Sequence, residues 1–416
     1  MTKQYDNSRE FAEKMDSADP LKGFREKFHI PKTNDGKDVI YFAGNSLGLQ
    51  PKTVRSYVEQ ELADWESMGV EGHMHAKHPW LPYHEFLTEN TAKLVGALPE
   101  EVVNMNSLTV NLHLMLVSFY RPEKKRFKIM IEANAFPSDH YAVQSHLRYH
   151  GFDPAEGLLE MNPRNGEDTI RTEDILERIE KEGDSIALVM FAGVNYYTGQ
   201  AFELGKITAA AHAKGIIAGF DLAHAAGNLK LELNKWDVDF AVWCSYKYLN
   251  AGPGAIAGAY VNRRHLLDMS IPKFWGWWGQ DKATRFLMHH DFQPIPTVES
   301  WQLSNPPILQ LAALRASLDI FAEAGMENLR AKSEIMTGYL EFLLESKSNI
   351  SVITPANKEE RGCQLSLRAA KEGKQLHSRL NEAGVICDWR EPDVIRIAPV
   401  PLYNTFTDVW QFVDMI

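Results

Sequence analysis

Between residues 127 and 261 the chain repeats one texture: short runs that are apolar at nearly every position, separated by stretches with helical spacing. The runs are 127–132, 185–194, 216–221, 240–244 and 255–261, and helices are expected from residue 140 and over 208–214. A strand that is apolar at odd and even positions alike is buried on both faces, as in a parallel sheet covered by helices. The sequence therefore predicts an α/β fold, a mostly parallel sheet sandwiched by helices, with a smaller α+β C-terminal domain. Ligands in such sheets gather at the carboxyl ends of the strands, so the chemistry is sought just after each run.

The texture changes after Asn305-Pro306-Pro307. Helical periodicity then fills 308–324 and 326–346, and the remainder reads as the smaller unit. Three parts are expected: an N-terminal segment over 1–50 packing with the small domain, a large domain over 51–305, and a small C-terminal domain over 306–416. In the first, 1–40 reads as a short helix and then loop. Residues 39–43 follow as a short strand running into Gly44-Asn45-Ser46-Leu47-Gly48, a turn suited to close approach of a ligand. Residues 51–69, with Val54, Tyr57, Val58, Leu62, Trp65 and Met68 three and four apart, predict a helix.

The 44 basic and 55 acidic residues leave a net charge of −11, which argues against nucleic acid or an anionic membrane as the main partner. Cys244, Cys363 and Cys387 form no C-x-x-C pair, so neither a disulfide framework nor a zinc site is expected, and a reducing compartment is the natural setting. No run reaches the roughly 18 apolar residues of a membrane span. Residues 1–16 are charged, without the apolar centre of a signal peptide. A soluble, cytoplasmic protein is expected.

Lys247 lies in Trp243-Cys244-Ser245-Tyr246-Lys247-Tyr248, between aromatics and directly after an apolar run. Desolvation there lowers an amine's pKa and frees it as a nucleophile, although a lysine beside a turn can also simply snorkel to the surface. Asp221 closes the run 216–221 and His224 follows it; an aspartate at a buried strand tip needs a cationic or donor partner, or else caps a helix. Only one strand separates Asp221 from Lys247, so adjacent strand tips can bring both into one crevice. Ser107-Leu108-Thr109 reads as a helix start, either an anion site or an ordinary cap. Phe136 adds a flat aromatic face. His73, His75 and His78 cluster, but no carboxylate or thiolate stands at ligand spacing, so they are read as loop or pocket histidines and no metal site is expected. Lysine, strand-tip aspartate, helix start and aromatic face are together what pyridoxal phosphate demands: a Schiff-base amine, a partner for the pyridine nitrogen, and an anion site.

Longer strings carry a resemblance. Phe220-Asp221-Leu222-Ala223-His224-Ala225, Cys244-Ser245-Tyr246-Lys247-Tyr248-Leu249-Asn250-Ala251-Gly252 and Ala135-Phe136-Pro137-Ser138-Asp139-His140-Tyr141 resemble kynureninases. So do Ser304-Asn305-Pro306-Pro307, Gly44-Asn45-Ser46-Leu47-Gly48-Leu49 and the stretch from Arg396 to Asn404. The resemblance runs from about residue 40 onward and implies a homodimeric pyridoxal-phosphate hydrolase of the aspartate-aminotransferase fold (fold type I). It implies that Lys247 carries the cofactor and shuttles the Cα proton, and that Asp221 pairs with the pyridine nitrogen. Leu108, Thr109 and Tyr246 would hold the phosphate, with Trp277 and Asn305 reaching over from the second subunit. In Phe136-Pro137-Ser138-Asp139, Phe136 would stack on the ring, while Asp139 and His224 frame it. Arg396 would clamp the substrate carboxylate, a task suited to a guanidinium fork.

Ser46, His73 and Asn305 match positions where the family touches the substrate's aromatic ring. They are read here as favouring 3-hydroxykynurenine over kynurenine. Ala192 departs from the pattern, since some relatives carry a serine that contacts the cofactor. The implied reaction is hydrolytic Cβ–Cγ cleavage to an anthranilate and alanine, with Tyr246 as first choice for the acid–base group at the γ-ketone. Its pathway, tryptophan breakdown or supply of a nicotinamide precursor, stays open. Two alternatives remain. A cysteine desulfurase-like enzyme would need a reactive thiolate, for which Cys363 is the candidate. A non-catalytic pyridoxal-binding scaffold would have no need of both Lys247 and Asp221.

Overall fold

In the computed structural model, which describes residues 5–416, the short helix expected in 1–40 is Arg9–Ala18, and the first strand after it is the two-residue β1 (Ile40–Tyr41). Residues 1–4 of the expected N-terminal segment lie outside the described residues. There follow β2 (Val102–Asn104), β3 (Lys128–Glu132), β4 (Leu158–Met161), β5 (Ile186–Ala192), β6 (Ile217–Asp221), β7 (Phe240–Trp243) and β8 (Gly258–Val261). Hydrogen bonds order them β2-β8-β7-β6-β5-β3-β4 in one sheet. From β4 to β7 every pairing is parallel, while β8 pairs antiparallel with both β7 and β2. The mostly parallel sheet expected from the sequence is therefore present.

Alternation within the strands explains why helices cover both faces. Val189 and Phe191 of β5, Ala218 and Phe220 of β6, and Ala241 and Trp243 of β7 share one core. That core includes Ile175, Ile207 and Leu311 from the helices Thr172–Glu182, Leu204–Ala213 and Ile308–Ala324. Leu188, Met190, Phe240 and Val242 point the other way, into a core with Leu112 and Val143 of the helices Leu108–Phe119 and Pro137–Tyr149. Strands with two apolar faces thus fix two helical layers.

Two boundary shifts and one missed strand bear on the sheet's architecture. The helix expected from residue 140 begins at Pro137, whose ring presets the first helical φ. The run 255–261 keeps only its second half as β8: a turn at Pro253-Gly254, with φ of 93° and 67° at Gly252 and Gly254, precedes it, and 255–257 are irregular. β4 was not legible as a strand, since its exposed Glu160 interrupts the apolar pattern at the edge of the sheet.

The remaining strands are β9 (Ile350–Val352), β10 (Leu365–Ala369), β11 (Val385–Ile386), β12 (Asp388–Arg390) and β13 (Val394–Ile397). An antiparallel sheet runs β12-β13-β10-β9, and β11 pairs parallel with β1. Ala12, Ile40 and Phe42 share a core with Met336, Tyr339, Ile395 and Phe412. The early segment is therefore packed against the end of the chain. A buried ion pair fastens it as well: Lys332 lies 2.7 Å from Asp19 and donates to the carbonyls of Pro401 and Asn404. No helix among the described residues is long and apolar enough to cross a membrane.

Two glycines face aromatic rings across β7: Gly219 opposite Phe240, and Gly258 opposite Trp243. A Cβ at Gly219 would collide with the Phe240 ring. The substitution Gly219→Ala is expected to destabilise the protein by about 1–3 kcal/mol, seen as a lower urea midpoint, because the ring has to shift inside a filled core.

Candidate active site

The parallel register pairs Asp221 of β6 with Val242 of β7, so both strands end at the same edge of the sheet. Asp221 stops there because its Oδ1 accepts from the Ala223 N–H at 2.7 Å, turning the chain. That is the helix-cap geometry weighed from the sequence, and it coexists with a position in the pocket wall. The chain leaving β7 reaches Lys247 four residues after Trp243 and turns sharply at Asn250, whose φ is 53°. Lys247 Nζ lies 3.0 Å from His224 Nε2 and above the Phe136 ring at 5.7 Å.

The cavity between them measures about 80 Å³. Leu108, Thr109, Phe136, Ser138, Asp139, Asp221, His224, Tyr246 and Lys247 all line it. Pro137 stands between two of these as the first residue of its helix, outside the lining set. Thr109 Oγ1 and Ser138 Oγ are 2.9 Å apart, each at the start of a helix whose free N–H groups favour an anion.

Burial governs the electrostatics. His224 is held well below the ordinary imidazole range by desolvation, with help from the charges of Lys247, Arg396 and Arg390, so its ring is neutral. Burial raises Asp221, opposed by the Ala223 hydrogen bond and the Lys247 charge. Asp139 is raised well above the carboxylate range by burial and by the charges of Asp221 and Glu132. Burial also raises the Tyr246 phenol, which stays protonated at neutral pH.

Two polar pocket residues escaped the sequence reading. Glu132 closes β3 as Asp221 closes β6, fully buried, both oxygens accepting from the Ala192 N–H at 3.2 and 3.3 Å. An acid ending an apolar run was the available signal. Tyr196 lines the wall and meets Phe136 edge-on at 5.3 Å.

Not every expected residue converges within one chain. Arg396 is 1% exposed, donates to the Tyr196 carbonyl at 2.9 Å and pairs with Asp388 at 2.7 Å; Ser46 bonds to both. These residues border the pocket through Tyr196. His73 lies elsewhere, with Nδ1 3.0 Å from the Val70 carbonyl. Trp277 is half-exposed and donates to the Arg285 carbonyl, and Asn305 is exposed. The turn 44–48, expected to approach a ligand, instead packs on protein: Gly48 against Lys247 and Asn250, Gly44 against Tyr403 and Val400. His75 pairs with Glu71 and His78 with Glu61, so the three histidines do not converge. Among the described residues His84, Glu85 and Glu299 come within ligating distance of one another, and Lys282 bonds to both carboxylates. All three cysteines are buried, and burial pushes the Cys363 thiol up to about 12, the opposite of a reactive thiolate.

The donor set fits pyridoxal phosphate. An amine, a strand-tip carboxylate, hydroxyls at two helix starts and an aromatic face line one cavity, where His224 Nδ1 and Asp139 Oδ1 are buried without a partner in the chain. Solved structures with the same fold include a cysteine desulfurase from Thermococcus onnurineus NA1 (TM-score 0.77, 18% identity, 94% of this chain and 96% of that one). A cysteine desulfurase from Escherichia coli is similar (TM-score 0.77, 16% identity, 95% and 97%). Fold and pocket together define a pyridoxal-phosphate enzyme of fold type I. Residues 329–416 match the kynureninase C-terminal domain model. The kynureninase of Myxococcus xanthus DK1622 is 60% identical over 414 residues (99% of this chain, 97% of the relative), and that of Koribacter versatilis Ellin345 59% over 412 (99% and 97%). The chain belongs to the kynureninase family.

Glu132 supplies a test of the pocket's charge balance. Burial raises its carboxyl to about 7 from an ordinary 4.5. The unfolded state therefore releases this proton first, and the stability tied to the neutral acid is complete below pH 4.5 and lost as pH rises through about 7. In cofactor-free protein, Glu132→Gln is expected to remove this loss, gaining about 2–4 kcal/mol over wild type at pH 8 relative to pH 4.5 in urea denaturation.

Proposed function

We propose that the protein hydrolyses the Cβ–Cγ bond of L-kynurenine and 3-hydroxy-L-kynurenine. The products are anthranilate or 3-hydroxyanthranilate and L-alanine, and the 3-hydroxy substrate is preferred. The observation that carries this reading is the meeting of Lys247, Asp221 and His224 at two neighbouring strand ends, in a pocket bordered by a buried arginine. Kinship at 60% identity to a curated kynureninase supports it.

What pyridoxal phosphate supplies when bound is an electron sink for the pair left at the substrate Cα. Asp221 is assigned to the pyridine nitrogen, where a carboxylate keeps the ring protonated. Thr109 and Ser138, with Leu108 at the same helix start, are assigned to the phosphate, and Phe136 to the ring face. Lys247 Nζ takes the proton from Cα and returns it. Neutral His224, 3.0 Å away, accepts from Nζ and orients it. Arg396 binds the α-carboxylate. Tyr246 Oη, protonated at neutral pH, is assigned to move a proton at the γ-carbonyl oxygen as water adds.

The substrate preference rests on Ser46, His73 and Asn305, and for Asn305 on a second subunit. We propose a homodimer in which Trp277 and Asn305 complete the neighbouring pocket. The exposed Leu267, Phe274, Trp275, Trp277, Phe286 and Leu287 crowd one stretch of chain, as interface residues do. Three free, buried cysteines agree with a cytoplasmic setting. The division at about residues 50 and 305 is likewise proposed. It is supported by the core that joins Ile40 and Phe42 to the last strands.

Two outcomes test the reading. Wild-type enzyme is expected to release a fluorescent anthranilate and alanine, with kcat/KM higher for 3-hydroxykynurenine, and Lys247→Ala to lose at least about 1,000-fold in kcat. No release from either substrate would refute the activity, and a ratio at or below one the preference. For the shared site, mixing inactive Lys247→Ala with inactive Asn305→Ala subunits is expected to restore about a quarter of wild-type activity, since half the dimers are hybrids with one intact site.

A further inference from the structure

We propose that Asp388 is a built-in counter-anion for Arg396, and that Arg390 takes Asp388 over when a substrate carboxylate arrives. This rests on the assignment of Arg396 to that carboxylate. Asp388 stands directly opposite Arg396 across the antiparallel pair β12·β13, and Arg390 is two residues further along the same strand. Cross-strand partners and residues two apart share a face, so the register alone puts two guanidinium groups beside one carboxylate.

Arg396 cannot shed its proton, and at 1% exposure it needs a nearby anion. Asp388 is that anion, 2.7 Å away, with Ser46 Oγ bonded to the same carboxylate oxygen and 3.1 Å from Arg396 Nη2. Arg396 Nη1 is taken by the Tyr196 carbonyl, and Nε is buried without a partner. A bidentate grip on a substrate carboxylate requires two N–H groups facing one way. Substrate therefore competes with Asp388, and two carboxylates on one guanidinium repel. Arg390 resolves the conflict. Its Nη2 is already 3.7 Å from the bonded Asp388 oxygen and 3.4 Å from Ser46 Oγ. With side chains 35% and 20% exposed, Arg390 and Asp388 can close on each other without disturbing the core. Two cations and one anion leave a surplus positive charge, which the substrate carboxylate neutralises.

The probe is the kynurenine skeleton without its amino group, which keeps the carboxylate but forms no bond to the cofactor. Its Kd is measured by calorimetry on cofactor-loaded and cofactor-free protein. Asp388→Asn is expected to tighten binding about three- to tenfold in both forms, because the competing charge is gone. Arg390→Gln is expected to weaken it by about tenfold with Asp388 present and by less than about threefold in the Asp388→Asn background. Unchanged or weaker binding in Asp388→Asn, or equal effects of Arg390→Gln in both backgrounds, would overturn the proposal. Should Asp388→Asn not fold, Arg390→Gln alone decides, and unchanged affinity refutes the hand-over. Arg396→Gln separates the two levels: if it leaves Kd unchanged, the carboxylate assignment fails and the counter-anion role with it. If it weakens binding while Asp388→Asn does not tighten it, only the counter-anion role fails.

Discussion

Parallel pairing of β6 with β7 is the constraint on which the site depends. It sets Gly219 opposite Phe240 and Asp221 opposite Val242, so that both chains leave the sheet at one edge. Because side chains alternate between faces, a slip of one residue would carry Asp221 from the pocket to the opposite face. The register is held by packing that leaves little choice. Gly219 makes room for the Phe240 ring, and Gly258 does the same for Trp243 on the other side of β7. The amine and the acid are thus positioned by the hydrophobic order of the sheet, without any direct attraction having to assemble them.

Having been brought together, these groups create a charge problem. Glu132, Asp139 and Asp221 are all buried in a pocket whose lining offers one lysine and a histidine kept neutral. Burial works against ionising each acid, and each ionised acid works against the next. With Glu132 and Asp139 both raised, Asp221, which has the shortest backbone donor and the Lys247 charge beside it, is the acid best able to remain ionised. Environment therefore distinguishes three chemically similar carboxyls, which is what a pyridine nitrogen needs from its partner.

Much of this was legible in the sequence because it is local. Apolar runs of uniform texture gave the sheet, and an acid or an aromatic-flanked lysine just past a run gave Asp221 and Lys247. The helix Ile308–Ala324 was read with its observed bounds. What was not legible depends on pairing between distant segments. β4 carries Glu160 on an edge and lacks the uniform texture. Asp388 acquires meaning only from its place opposite Arg396, and the two-strand alignment is invisible to periodicity. The glycines of the 44–48 turn signal close approach. Their partner, however, is another stretch of the chain, and composition cannot tell one partner from another.

That turn links the two charged centres. Gly48 donates its N–H to the Tyr246 carbonyl at 2.8 Å, beside Lys247, while Ser46 bonds to Asp388 and Arg396 two residues earlier. Tyr41, in β1, donates its hydroxyl to the Leu47 carbonyl, and β1 is itself paired with β11. A five-residue segment thus touches the lysine loop at one end and the arginine network at the other. In the proposed reaction, Lys247 works at the substrate Cα and Arg396 at the carboxylate one bond away, so the substrate has to meet both points at once. Preorganising them relative to each other lowers the entropy cost of binding, and close glycine contacts at both ends leave the segment little slack. The spacing between the Lys247 amine and the Arg396 guanidinium is therefore a property of the 44–48 turn as much as of either residue.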